Sequence, residues 1–176
     1  MNTLISNIGF SNVSMINVSD IEFEPSLLKL CKMNSCGNYG KNYTCPPLIG
    51  NPQELINHAK SYNKAIVFQK IYHLADSFDI EGMDNSRIDF RNLTHKVNDL
   101  CKIRLDNYLL LTAGGCSECS ICGAVTGEKC RFPEKAYPSL EAYSINVSTL
   151  AGKSGMKYIN GVNTVTYFGA ILYNSL

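Results

Sequence analysis

Apolar residues recur at spacings of three and four in the middle of the chain, between Arg87 and Asp106. They are Phe90, Leu93, Val97, Leu100, Cys101 and Leu105. This period predicts one face of an amphipathic helix packed on a core. We therefore interpret Cys101 as a core thiol rather than a ligand, and we expect His95, which falls off the stripe, to be solvated. The polar residues 75–86 before the helix are expected to form a connection.

Runs of β-branched and aromatic residues predict three strands, at residues 64–73, 108–112 and 163–173. A short strand is also expected around Met15 and Ile16. Further helices are predicted at residues 26–32 after Pro25, at residues 51–62 with Asn51 as a cap, and from Ser139 through Leu150. Alternating strands and helices favour an α/β (or α+β) fold with a small central sheet flanked by helices.

The composition is that of an ordinary globular protein. The 176 residues are 45% hydrophobic and 18% charged, and we expect a single domain spanning 1–176. The formal net charge is +1 and no Lys/Arg-rich run occurs, so neither nucleic acid nor a membrane is an expected partner. The first residues lack a basic region followed by an apolar one, so we expect no signal peptide, and no apolar run approaches the ~20 residues of a membrane span. We expect a cytoplasmic protein, in which patterned cysteines are reduced and bind metal.

Four of the eight cysteines follow the second predicted strand closely, in the pattern C-x2-C-x2-C-x7-C. They are Cys116, Cys119, Cys122 and Cys130. Each two-residue gap turns the backbone back on itself, so successive thiolates converge, and bacterial ferredoxins use the same triad. We predict a [4Fe–4S] site. Zinc is the competing interpretation, although structural zinc sites usually draw on two separated pairs, and disulfides or free thiols are a third.

A second cysteine cluster lies earlier, as C-x4-C-x8-C in a loop closed by Pro46 and Pro47. Its members are Cys31, Cys36 and Cys45. We predict a second cluster with three protein ligands, which leaves one iron without a cysteine. The alternatives are a zinc site completed by a histidine or cysteine from elsewhere, a cluster closed by Cys101 or by a histidine such as His58, and cysteines packed as small hydrophobic side chains. We interpret the isolated His58 and His73 as ordinary surface or core histidines.

Four other residues are candidates to surround the metal sites. Arg131 follows Cys130 directly and can screen the negative charge of a cluster, pair with Glu134 or Glu141, or lie on the surface as an ordinary arginine. Tyr39, Lys41 and Tyr43 share the loop of the second cysteine cluster. They can supply hydrogen bonds or charge there, or simply form the loop.

Three segments resemble a family of predicted metal-binding proteins, catalogued as a domain of unknown function and typical of anaerobic bacteria and archaea. The matching elements are YG-x-N-aromatic-x-CPP at residues 39–47, G-x-C-x2-C-x2-C-x7-C-R-x-P at residues 114–133, and P-S-x-E-A at residues 138–142. Members often carry a glycine before Ile-Asp-Val, where this chain has Tyr143-Ser144 followed by Ile145, Asn146 and Val147. The resemblance implies metal binding and supplies no reaction.

Three functions are compatible with these observations. The first is electron transfer to a partner protein through the site with four cysteines. The second is an iron–sulfur enzyme, in which the iron without a cysteine at the second site binds and activates a small substrate. The third is a zinc-stabilised interaction domain. The sequence contains no serine–histidine–aspartate pattern, phosphate loop or dinucleotide fingerprint.

Overall fold

The computed structural model describes residues 1–175, which form a mixed α/β fold around a four-stranded antiparallel sheet. In chain order the elements are α1 Asn2–Ser6, β1 Asn12–Asn17, α2 Leu28–Met33, α3 Pro52–Lys60, β2 Lys64–His73, α4 Ile80–Arg104, β3 Tyr108–Leu111, α5 Gly123–Thr126, α6 Val147–Lys153 and β4 Thr164–Tyr173. The strand order is β1-β2-β4-β3, and every neighbouring pair is antiparallel. The predicted fold class, with its central sheet flanked by helices, is confirmed.

The sheet is buried on both faces. Along β2, Ala65 and Val67 lie in one hydrophobic layer with residues of α3 and α6, whereas Ile66 and Phe68 lie in the opposite layer with residues of α4. All four side chains are fully buried. Because both faces are covered, the strand appears in the sequence as a continuous apolar run rather than as an alternating pattern.

Helix α4 packs its apolar stripe on the sheet, as its period predicts. Phe90, Leu93, Val97 and Cys101 are buried in the layer that includes Ile66 and Phe68. Cys101 is 0% exposed, and burial raises the pKa of its thiol to about 12. The interpretation of Cys101 as a core thiol is confirmed.

The helix is longer than its apolar stripe, and the expected connection at residues 75–86 is wrong over its second half. Helix α4 begins at Ile80, where Asp79 caps it by accepting a hydrogen bond from the Gly82 amide at 2.8 Å. Ile80 itself is 74% exposed. The first turns therefore carry no buried stripe, and the cap is the sequence signal that marks their start.

The predicted helix from Ser139 to Leu150 is also wrong. A short 3-10 turn, Glu141–Tyr143, ends at Ser144, whose backbone lies in the left-handed region at φ 59 and ψ 25. Helix α6 begins only at Val147, capped by the Asn146 side chain, which accepts from the Thr149 amide at 3.1 Å. A left-handed residue cannot continue a right-handed helix, so the segment breaks in two.

The longest helix, α4, has 25 residues and mixes charged with apolar side chains. Among residues 1–175, no helix combines the length and the apolar character needed to cross a membrane.

Candidate metal centre

The four cysteines of the second loop line one small cavity. The loop begins directly after β3, and Cys116, Cys119, Cys122 and Cys130 surround a cavity of about 20 Å³. All four are free, partly buried thiols. We call this group the four-cysteine site. A rigid strand at the sheet edge therefore leads directly into the loop that brings these thiols together.

A close backbone approach at Gly123 brings Cys130 back towards the other three cysteines. Helix α5 starts at Gly123 and ends at Gly127, whose φ of 74 requires a left-handed conformation. The chain then folds over Gly123, where a Cβ atom would lie 2.7 Å from the Glu128 carbonyl oxygen and 2.8 Å from that of Lys129. Only glycine leaves room for this return of the backbone.

Arg131 lies beside this site with a partner that the sequence analysis did not name. Its guanidinium forms an ion pair with Glu128 at 2.5 Å and donates to the Ile121 carbonyl at 3.1 Å. The Glu128 carboxylate and, after it, the Cys119 sulfur raise the pKa of Arg131 above its ordinary value. Arg131 therefore pairs with Glu128 rather than with Glu134 or Glu141, which were one of the open alternatives, and its positive charge lies next to Cys119.

Helix α4 holds the same loop from its other side. Arg91 donates to the Ser117 carbonyl at 2.7 Å, and its Nε lies 3.6 Å from the Glu118 carboxylate. His95 Nε2 lies 3.0 Å from the same Glu118 oxygen, and His95 Nδ1 lies 3.0 Å from the Tyr137 hydroxyl. The His95 side chain is only 22% exposed, so the expectation of a solvated histidine is wrong. The spacing of Arg91 and His95, four residues on one helix face, was the available signal.

The other three cysteines meet at a larger recess. Cys31 lies in α2, Cys36 follows a turn at Asn34 with φ 55, and Cys45 precedes the cis Pro46-Pro47 bond. All three line a recess of about 500 Å³. We call them the three-cysteine site.

Electrostatic effects show that these thiols influence one another. Burial raises the pKa of Cys45 to about 11, opposed by a hydrogen bond with Thr44 and reinforced by Cys36, Cys31 and Cys116. The pKa of Cys31 is raised by burial, then by Cys36 and by Glu141. The influence of Cys116 on Cys45 places the two sites side by side.

Apolar and polar groups share the walls of the recess. The apolar wall residues include Leu27, Leu30, Met33, Val147 and Tyr158. Tyr39, Glu141 and Asn146 also line it. Lys41 is exposed and lines none of the cavities at the two sites. Of the two candidate groups Tyr39 and Lys41, only Tyr39 therefore faces the three-cysteine site.

Three consecutive residues join the two cysteine loops. Asn42 donates to the Cys116 carbonyl at 2.7 Å, Tyr43 donates through its hydroxyl to the Glu128 carbonyl at 2.7 Å, and the Thr44 hydroxyl accepts from the Cys116 amide at 3.1 Å. Asn42 and Thr44 are each 4% exposed. The sequence predicts Tyr43 in the surroundings of the three-cysteine site, contains Asn42 only as a motif residue without an assigned contact, and leaves Thr44 as an unspecified position of that motif.

A further cavity of about 380 Å³ lies against both sites, lined by Cys36 and Cys116 together with Arg87, Arg91 and Lys135. His58 and His73 are absent from the cavities of the two sites and are exposed residues.

All seven donors at the two sites are thiols. In the part of the chain that the structure describes, no three His, Cys, Asp or Glu side chains lie close enough together to hold one metal ion. A zinc ion at about 2.3 Å from each sulfur needs sulfurs about 3.8 Å apart. Thiolates are also the ligands that hold iron–sulfur clusters, so the chemistry of this donor set is compatible with a cluster.

These observations define a cysteine-rich α/β protein in which seven thiols gather in two adjoining loops. Residues 14–173 match the family described as predicted metal-binding protein (DUF2284). The chain belongs to this family. No curated protein and no solved structure matched it.

Proposed function

We propose that this protein carries two iron–sulfur clusters and transfers electrons to or from a partner protein. Cys116, Cys119, Cys122 and Cys130 would hold a [4Fe–4S] cluster, and Cys31, Cys36 and Cys45 would hold a second one. Such clusters supply one-electron redox chemistry when bound. The observation that carries this proposal is the common cavity lined by all four cysteines of the C-x2-C-x2-C-x7-C loop.

The contact between the two loops supports a function that uses both sites. Asn42, Tyr43 and Thr44 link the loops through hydrogen bonds of 2.7–3.1 Å. Because these bonds are short and two of the three side chains are buried, the loops hold both sites at a fixed separation. Electron transfer benefits from such rigidity, since its rate depends on distance.

Exposed apolar residues support a partner protein rather than a free mediator. Ile121 and Val125 are 56% and 57% exposed, and Phe132 is 41% exposed, all within the segment of the four-cysteine site. Apolar side chains exposed together are typical of docking surfaces. Arg131 contributes a positive charge beside Cys119, which favours the more negative, reduced state of that site.

The decisive experiment is iron and acid-labile sulfide analysis of protein purified without oxygen. We expect about eight iron and eight sulfide atoms per chain, and broad absorption near ~400 nm. Cys119→Ser and Cys36→Ser should each lose about four irons, because one variant removes a ligand from each site. Cys101→Ala is the matched control, since it removes a cysteine from the core and should keep the full iron content.

Stoichiometric zinc with no iron would overturn the proposal and favour the zinc-stabilised interaction domain. Iron content unchanged in both serine variants would show that these cysteines are not ligands.

The recess at the three-cysteine site favours a second candidate function, an iron–sulfur enzyme. Its volume of about 500 Å³ is within the range of small-molecule sites, about 300–1,000 Å³. With three cysteines, one iron lacks a thiolate and keeps a position for a substrate atom. The enzyme hypothesis predicts that a small ligand changes the electron paramagnetic resonance (EPR) spectrum of the wild type but not that of Cys36→Ser.

A further inference from the structure

Glu141 lies at the three-cysteine site without a positive partner. Its side chain lines the same recess as Cys31, Cys36 and Cys45, and its charge contributes to the raised pKa of Cys31. None of the ion pairs formed within residues 1–175 includes Glu141. Within residues 1–175, Glu141 therefore shares its recess with three thiols and forms no ion pair.

Glu141 is exposed to solvent at the recess, and the pKa of its carboxyl group is raised. The mouth of the recess is open and leaves Glu141 exposed surface, but closely packed protein atoms desolvate its carboxyl group and raise its pKa. Hydrogen bonds from its own amide and from the Ser139 hydroxyl oppose this shift only in part.

The backbone that carries Glu141 is firmly held. Its neighbours Leu140 and Ala142 are each 1% exposed, and the Leu140 amide donates to the Thr112 carbonyl at 3.0 Å, at the end of β3. The turn closes at Ser144, whose amide donates to the Glu141 carbonyl at 2.9 Å. The backbone at Glu141 is thus held in the wall of the recess, and one edge strand, β3, aligns both this turn and the four-cysteine loop.

We propose that Glu141 is the fourth protein ligand of the three-cysteine site and binds, through a carboxylate oxygen, the iron that no cysteine binds. This inference rests on the proposed function, since it requires a cluster at Cys31, Cys36 and Cys45. Thiolates are the soft ligands that such iron prefers, and a carboxylate is a harder, more weakly held ligand there. An incoming substrate atom can therefore displace Glu141, which makes it a reversible cover over the reactive iron.

The test compares four proteins: the wild type, Glu141→Gln, Glu141→Cys and the control Glu22→Gln. Glu22 is an exposed glutamate outside the recess, so its variant makes the same charge change without touching the site. Each holo protein is oxidised mildly with ferricyanide and exposed to an iron chelator. Iron is counted over time, and the EPR signal of a three-iron cluster is recorded.

We expect Glu141→Gln to lose about one iron in eight several-fold faster than the wild type, with a matching gain of the three-iron signal. Glu141→Cys should resist this loss at least as well as the wild type, because a thiolate replaces the carboxylate. Glu22→Gln should behave as the wild type does.

Equal rates of iron loss in Glu141→Gln and the wild type would overturn the proposal. So would loss of iron from both sites in Glu141→Gln and Glu141→Cys alike, because that result indicates a structural role. A wild type that binds only about four irons, all lost in Cys119→Ser, would instead refute the second cluster itself, and the ligand role with it. The iron count of the wild type thus separates failure of the proposed function from failure of this inference.

Discussion

Replacing Ser144 by glycine tests whether the left-handed backbone at this residue is strained. Its φ of 59 is in the left-handed region, its side chain is fully buried, and its Oγ lacks a hydrogen-bond partner among residues 1–175. It closes the turn that holds Glu141. We expect Ser144→Gly to relieve the strain, because glycine adopts this conformation without a Cβ clash.

The magnitude follows from a matched control. Ser154 is 7% exposed and also has a buried Oγ without a partner in the described chain, but its φ is −88, which any residue adopts. Ser144→Gly and Ser154→Gly thus remove the same hydroxyl, lose the same Cβ contacts to first order, and add the same freedom to the unfolded chain. Their difference isolates the left-handed conformation, about 1–2 kcal/mol in favour of Ser144→Gly.

For a chain of this size, each kcal/mol shifts the melting temperature by about 2–4 °C. The assay is differential scanning calorimetry at one scan rate, on anaerobically purified samples of equal iron content, because bound metal also changes stability. Ser144→Gly should melt above Ser154→Gly by about 2–8 °C. Equal melting temperatures, or a lower one for Ser144→Gly, would refute the assignment of strain to this turn.

Three other changes test the loops. Gly123→Ala should strongly reduce cluster binding at the four-cysteine site, because its methyl group would lie 2.7 Å from a backbone carbonyl oxygen. Absorbance near ~400 nm measures the bound cluster, and unchanged absorbance would contradict this prediction. Arg91→Ala should lower the free energy of unfolding by about 2 kcal/mol, because it removes the hydrogen bond to Ser117. Urea unfolding measures this loss, and Arg87→Ala, which changes an exposed arginine of the same helix, is the control. In metal-free protein at pH 8, we expect Cys36 to be alkylated first, because it is exposed, and Cys101 last, because it is buried with a pKa of about 12. Peptide mass spectrometry measures the order of labelling, and early labelling of Cys101 would contradict the prediction.

Local sequence patterns were enough to predict strands β2 and β4 and the burial of Cys101 in the core. Strand β2 occupies the predicted residues, and β4 begins one residue later than predicted, at Thr164. Buried strands carry continuous β-branched and aromatic runs, and α4 carries a helical period, so both features are written in neighbouring residues. The family, too, follows from short motifs, and a match over residues 14–173 establishes it.

Boundaries that depend on caps and on left-handed residues were less predictable. The start of α4 is set by the Asp79 cap rather than by its apolar stripe, and the break at Ser144 has no glycine to signal it. A serine with a positive φ is held there by tertiary hydrogen bonds, including one from the Glu24 amide to the Ser144 carbonyl at 2.7 Å. Residues far apart in the chain decide such a conformation, and no local pattern records them.

The sequence by itself determined the fold class, the central sheet and the two groups of cysteines, because each depends on residue type and short spacing. Only the tertiary structure decided that the two cysteine loops touch, through Asn42, Tyr43 and Thr44. It also decided that Arg91 and His95 of α4 hold the loop of the four-cysteine site. Glu141, in turn, lines the recess of the three-cysteine site. The hydrogen bonds and the ion pair among these contacts join residues separated by 23 to 85 positions. Such pairs meet because the sheet and α4 bring their segments together, which is a property of the packed chain and not of any stretch within it.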